Sequence, residues 1–235
     1  AGRQLFSSES VGKGHPDKVA DQISDAVLDA ILTEDKLGHV ACETLVTTGL
    51  AVVAGEIRTS AYVDIPRVVR ETIKEIGYDN PDYYFDWESC GVITSIDEQS
   101  ADIARGVDRP DPLEQGAGDQ GIMFGYATDE TPELMPLPLV LAHRIVRGLE
   151  EARRAKTLAW LGPDSKSQVT IEYDGDRPAR IDTVVCAAMH DAAVCEEEVR
   201  AEVEKRVILP VLPAELTPER PRMLINQTGR FVKGG

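Results

Sequence analysis

The sequence predicts an α+β fold of repeated units, each a mostly antiparallel sheet covered by helices, in a pseudo-symmetric arrangement. Three observations predict it. The 235 residues are 42% apolar, enough for one large domain or two small ones with a real core and no disulfide staples. The order helix, hairpin, helix, strand occurs twice, on either side of a loop rich in Asp, Gly and Pro. Strand patterns arrive as hairpins, which favours sheets that carry their helices on one face.

The elements follow in chain order. Val19, Ile23, Ala26, Val27, Ala30 and Ile31 recur at helical spacing, while Asp21, Asp25 and Asp29 step by four along another face, giving an amphipathic helix with a solvated acidic side. Two β-rich runs, 40–48 and 51–63, precede a helical stretch at 66–76 and a strand at 91–96. The second round is a helix at 138–156, a hairpin over 168–189 turning on Asp174-Gly175, a helix at 195–208 and a strand at 223–226. The expected division is a first unit over 1–100, a mobile loop over 101–120 and a second unit over 121–235.

Forty-one acidic against 25 basic residues give a net charge of -16, which argues against a nucleic-acid or anionic-membrane partner. Any bound phosphate must be held by a few local charges. Cys42, Cys90, Cys186 and Cys195 show no paired C-x-x-C spacing, and no apolar leader precedes the first strand-like segment. Reduced thiols and a cytoplasmic location are expected. The longest apolar run, 134–142, is short and broken by Pro136 and Pro138, so no membrane span is expected. Asn226-Gln227-Thr228 matches a glycosylation sequon, which without a secretory leader reads as chance.

Candidate chemistry begins at Gly14-His15-Pro16-Asp17-Lys18. Proline is favoured at the first helical position, so the pentapeptide opens the first helix and leaves its N–H groups to an anion, with His15, Lys18 and a cation on Asp17 nearby. An ordinary helix start with a charged first turn reads the same way. If Gly49-Leu50 form a two-residue turn, Glu43 lies opposite Glu56, and paired carboxylates invite a metal ion or an ammonium group. A one-residue register change, or water around both groups, is the alternative. Gly116, Gly118 and Gly121 fit G-x-G-x-x-G, but an acidic proline-broken loop precedes them and no helix pattern follows, so a dinucleotide site is rejected. What remains is a loop over 97–121 long enough for a lid. Asp164-Ser165-Lys166 offers a carboxylate for ribose and an ammonium for phosphate. Arg230-Phe231 offers a guanidinium and a ring for a purine.

In combination these segments resemble a known family. Leu5-Phe6-Ser7-Ser8-Glu9-Ser10-Val11 with Gly14-His15-Pro16-Asp17-Lys18, then the run from Gly106 through Gly121, then 164–169 and 226–231, are similar to methionine adenosyltransferases over the whole chain. The resemblance implies transfer of the adenosyl group of ATP to the sulfur of L-methionine, with the triphosphate cleaved to pyrophosphate and phosphate. It implies His15, Lys18 and Lys166 as catalytic groups, with His15 beside the departing 5′ oxygen. Asp164, Ser165, Lys166, Arg230 and Phe231 would bind ATP, and Glu56, Gln99 and Asp119 methionine. Asp17 would hold Mg²⁺ and Glu43 K⁺. Sites between two subunits, in a homodimer or dimer of dimers, come with the resemblance. In the family the chain continues past Gly234-Gly235 into a glycine-rich segment with further basic and acidic ligands and a third unit. Residues 1–235 alone are therefore expected to lack useful turnover. An ATP-dependent phosphotransferase or phosphohydrolase, and a non-catalytic nucleotide-binding module, are the rival readings.

Overall fold

The computed structural model describes residues 2–98, 109–111, 114–118 and 120–234. Strand β1 is Arg3–Val11, helix α1 Pro16–Glu34, β2 His39–Thr47, β3 Leu50–Arg58, α2 Ile65–Ile76 and β4 Gly91–Asp97. Then come α3 Leu137–Arg154, β5 Leu161–Asp174, β6 Arg177–His190, α4 Glu196–Val203 and β7 Arg222–Ile225. The described strands form a three-stranded sheet, β2-β3-β4, and a four-stranded sheet, β1-β5-β6-β7. Each contains an antiparallel hairpin followed, after a helix, by a strand parallel to the hairpin's second arm. The repeated order thus has a common topology, and the fold is α+β.

The helices cover one face of each sheet because their apolar stripes demand it. Val19 and Ile23 of α1 and Val69 and Ile73 of α2 pack with Ala51 and Val53 of β3. Leu141 and Ile145 of α3 pack with Val169 and Ile171 of β5 and Val184 of β6. Helix α2 is well delimited: the Asp64 carboxylate accepts from the Arg67 N–H, and Gly77 closes the helix at φ 114. The 195–208 stretch is α-helical only to Val203 and continues as a π-helical turn over Glu204–Ile208.

Four expectations are corrected. First, Thr47 pairs with Leu50, so the turn is Thr48-Gly49, with Gly49 at φ 76. Placing glycine at the position that needs a positive φ leaves Leu50 inside the ladder. Glu43 consequently faces Ala54, and Glu56 faces Ala41. The two-residue slip preserves the pleat, so Glu43 and Glu56 share one sheet face as diagonal neighbours, with backbones about 7–8 Å apart rather than directly opposed. Second, the other hairpin turns on Gly175-Asp176, since Asp174 pairs with Arg177 and Gly175 takes φ 62. Third, β3 ends at Arg58 rather than at 63: Asp35 accepts from the Thr59 hydroxyl and from the Ser60 N–H and hydroxyl, drawing the chain off the sheet. Fourth, β1 is not among the elements the pattern predicts. It pairs with β5 from Arg3↔Asp174 to Val11↔Lys166 and so enters the four-stranded sheet.

Candidate active site

The strand β1 delivers the segment before α1 onto the start of β5. Gly12 N–H donates to the Ser165 carbonyl at 2.7 Å, and Gly14 N–H to the Pro163 carbonyl at 3.1 Å. A Cβ at Gly14 would lie 2.5 Å from the Pro163 carbonyl carbon and oxygen, so the approach requires glycine. The buried Tyr78 hydroxyl donates to the Gly14 carbonyl, while a Cβ on Gly234 would stand 2.6 Å from the same ring. Segment 12–18 therefore joins the backbone at 163–165 on one side and Tyr78 on the other, and Tyr78 in turn packs against Gly234, beyond Phe231.

His15 caps α1. Its Nδ1 accepts from the Asp17 N–H at 3.2 Å, which places the ring proton on Nε2 and leaves Nε2–H to donate elsewhere. Burial holds its pKa below the ordinary value; nearby Asp17 raises it, Lys166 lowers it and Glu9 raises it. A neutral donor results. Asp17 is largely exposed, with its carboxylate 3.7 Å from His15 Nδ1. Lys18 pairs with Asp21 at 3.0 Å. Lys166 lies across from Val11 in the ladder, and its ammonium pairs with Glu9 at 2.9 Å.

Asp164 is buried and Ser165 with it. Desolvation pushes the Asp164 carboxyl up to about 7, against the smaller opposing effect of the Ser165 N–H hydrogen bond. A buried carboxyl with such limited support is a candidate for recognising hydroxyls. Arg230 donates to the Ala192 carbonyl at 2.9 Å, and the half-buried Phe231 is tied through its backbone to His190.

Glu43 and Glu56 stand on the three-stranded sheet, and none of the described contacts joins them to this group. Gln99 and Asp119 lie outside the described residues. Among the described residues no three His, Cys, Asp or Glu side chains cluster closely enough to hold a metal ion. Asp17 alone still suits Mg²⁺, which takes one or two carboxylates and completes its shell with water and phosphate oxygens. Among the described residues no helix is long and apolar enough to cross a membrane, and all four cysteines are free.

Sequence reasoning missed Tyr78, His190 and the Glu9 partner of Lys166. It also missed the bond between Ser10 Oγ and His143 Nδ1, 2.7 Å long, which fastens β1 to α3. Glu9 and Ser10 lie within the quoted 5–11 segment, the one available signal for them.

The sequence description "S-adenosylmethionine synthetase, N-terminal domain" matches residues 3–101, and "S-adenosylmethionine synthetase, central domain" matches 114–231. An S-adenosylmethionine synthase of Syntrophobacter fumaroxidans is 60% identical over 233 residues, covering 98% of this chain and 60% of the relative. The corresponding protein of Solidesulfovibrio magneticus is 57% identical over 234 residues, covering 100% of this chain and 60% of its own length. That of Desulforudis audaxviator is 55% identical over 242 residues, with 99% and 61% covered. The chain spans about 60% of the length of these relatives. With both matched segments meeting where β1 and α1 reach β5, the chain belongs to the S-adenosylmethionine synthetase family.

Proposed function

We propose that this chain carries the ATP-handling part of an enzyme that transfers the adenosyl group of ATP to L-methionine and then hydrolyses the triphosphate with one water, giving S-adenosylmethionine, pyrophosphate and phosphate. The observation that carries the reading is that segment 12–18 is bonded through its backbone to 163–165 and is held by Tyr78, which also packs against Gly234. In the reaction a sulfur lone pair forms the S–C5′ bond while the C5′–O bond breaks and its electron pair stays on the triphosphate. Neutral sulfur needs no general base, so the protein's part is alignment and stabilisation of the departing oxygen. His15, neutral and with a free Nε2–H, suits donation to that oxygen. Lys18 and Lys166 would meet the polyphosphate, Asp164 and Ser165 the ribose, and Arg230 with Phe231 the adenine. Glu56, Gln99 and Asp119 would hold methionine.

Mg²⁺ would neutralise charge on the leaving group, and Asp17 would hold it; Glu43 would hold K⁺. The division into units over 1–100 and 121–235 with a connecting loop over 101–120, and a cytoplasmic setting, belong to the same reading. So does assembly as a homodimer or dimer of dimers with sites between subunits. Ile122, Met123, Phe124 and Tyr126 are 80%, 96%, 90% and 74% exposed, an apolar run that favours a partner surface.

His15→Asn in the intact protein tests the reading. Adenosylmethionine formation should fall about a hundredfold, the usual loss for one positioned polar catalyst, while hydrolysis of added tripolyphosphate changes far less. Equal loss of both would move His15 to general polyphosphate binding. Release of ADP instead of a sulfonium product would replace adenosyl transfer with phosphotransfer.

A further inference from the structure

Strand β6 runs on beyond the ladder that its neighbour provides. The parallel pairing with β7 stops at Cys186↔Ile225, yet β6 continues to His190. The polar backbone groups of that last stretch need partners. Asn226 supplies the first of them. Its N–H donates to the Cys186 carbonyl at 2.9 Å; its side-chain oxygen accepts from the Ala188 N–H at 2.8 Å, and its side-chain nitrogen donates to the Ala188 carbonyl at 2.9 Å. The side chain replaces a residue of strand, and it is buried there.

His190 supplies the next. Its N–H donates to the Phe231 carbonyl at 2.8 Å, and its ring Nε2 accepts from the Phe231 N–H at 3.2 Å. Nδ1 donates to the Asp191 carbonyl at 2.9 Å, which fixes the tautomer with the proton on Nδ1 and the lone pair on Nε2. The residue is 1% exposed. One residue therefore holds both polar groups of the Phe231 backbone, and the Ala192 carbonyl holds Arg230 beside it.

We propose that His190 is a positioning residue for the base of the nucleotide: its ring, acting through the Phe231 backbone, sets the Arg230–Phe231 pair and with it the preference for adenine. The proposal rests on the reading that Arg230 and Phe231 meet adenine. A stacking ring and a guanidinium select a base only when both are fixed, and here Phe231 is fixed from the end of β6 and Arg230 from the segment that follows it.

The test compares His190→Ala, His190→Phe, His190→Gln and Phe231→Ala in the intact protein, by calorimetric titration with ATP, GTP and inorganic tripolyphosphate. Thermal melting is recorded for each. His190→Phe keeps a ring and removes the acceptor, so it serves if the alanine variant does not fold. The expected result is a roughly tenfold weaker ATP affinity in His190→Ala and His190→Phe, about the loss of one buried hydrogen bond. The ATP-to-GTP preference should shrink while tripolyphosphate affinity stays within about twofold. His190→Gln, whose Oε1 can accept from the Phe231 N–H, should recover most of the ATP affinity. A lowered melting temperature with an unchanged ATP-to-GTP preference overturns the proposal, as does equal weakening of ATP and tripolyphosphate. If Phe231→Ala leaves the base preference intact, the adenine assignment itself fails, a result separable from failure of His190.

Discussion

The two sheets share a topology and differ in what they do with it. The sheet β2-β3-β4 has nine-residue hairpin arms and leaves Leu45 and Ile93 on its uncovered face, 59% and 52% exposed. The other has fourteen-residue arms, takes β1 as an additional edge, and buries polar residues at the start of β5. The longer arm β5 meets the segment before α1 near its start, and that stretch carries Asp164, Ser165 and Lys166. The same supersecondary order therefore serves hairpin arms of nine or fourteen residues, and it is the longer pair that receives the segment before α1.

Two glycines offer the largest break in this comparison. A Cβ on Gly55 would lie 2.0 Å from the Ala41 carbonyl oxygen, and one on Gly14 2.5 Å from Pro163 backbone atoms. Each alanine substitution should destabilise the protein by about 3 kcal/mol in denaturant titration, because backbone cannot yield as a side chain can. Gly14→Ala should also abolish nucleotide affinity, whereas Gly55→Ala, wherever folded protein remains, should keep it within about threefold. Equal effects on binding would show that the site does not lie at the start of β5.

Asp164→Asn comes next. A carboxyl raised from 3.8 to about 7 stabilises the fold fully below its unfolded pKa and loses that contribution as pH rises through about 7. The upper limit is about 4 kcal/mol, taking roughly 1.4 kcal/mol per pKa unit. The asparagine variant should melt higher than the parent at pH 8 and show little gain at pH 4, while binding ATP more weakly. A melting difference independent of pH would show that Asp164 is ionised throughout.

Arg153 sharpens the comparison at the contact between helices. From α3 it donates to the Ile76 carbonyl at 2.9 Å, at the end of α2, and it pairs with Glu150. Arg153→Ala should cost about 1.5–3 kcal/mol of stability, the range for hydrogen bonds to charged groups. Nucleotide affinity should not change. Smallest is Glu56→Gln, a diagonal neighbour of Glu43, expected to alter stability by less than about 0.5 kcal/mol in K⁺-free buffer. A larger gain would indicate that the carboxylates repel at close range.

Much of this was legible from short-range pattern. Helix periodicity located α1, α2 and α3, and turn chemistry located both hairpins. Register was not legible to the residue, because either neighbour of Gly49 can accompany it in a two-residue loop. The parity of the strand was kept, so Glu43 and Glu56 share a face although they are not opposed. The candidate residues His15, Asp17, Asp164 and Lys166 stood out through their segments. Tyr78 and His190 did not, since their partners are backbone groups distant in sequence and backbone carries no sequence signature. Asn226 read as a chance sequon; it is the residue that extends β6.

The position of β1 also orders events during synthesis. Arg3 finds its carboxylate partner Glu172 only across 169 residues of chain. At translation speeds of about 5–20 residues per second, the first strand waits on the order of ten to thirty seconds before its neighbour leaves the ribosome. The α1–α2 layer can gather over β2, β3 and β4 during that interval, while Leu5 and Phe6 remain exposed on an unpaired strand. The segment leading into His15 is thus made well before β5 and seated only after it. A nascent chain halted before β5 should be cut by protease within residues 3–11 and be protected there once both arms of the second hairpin have emerged.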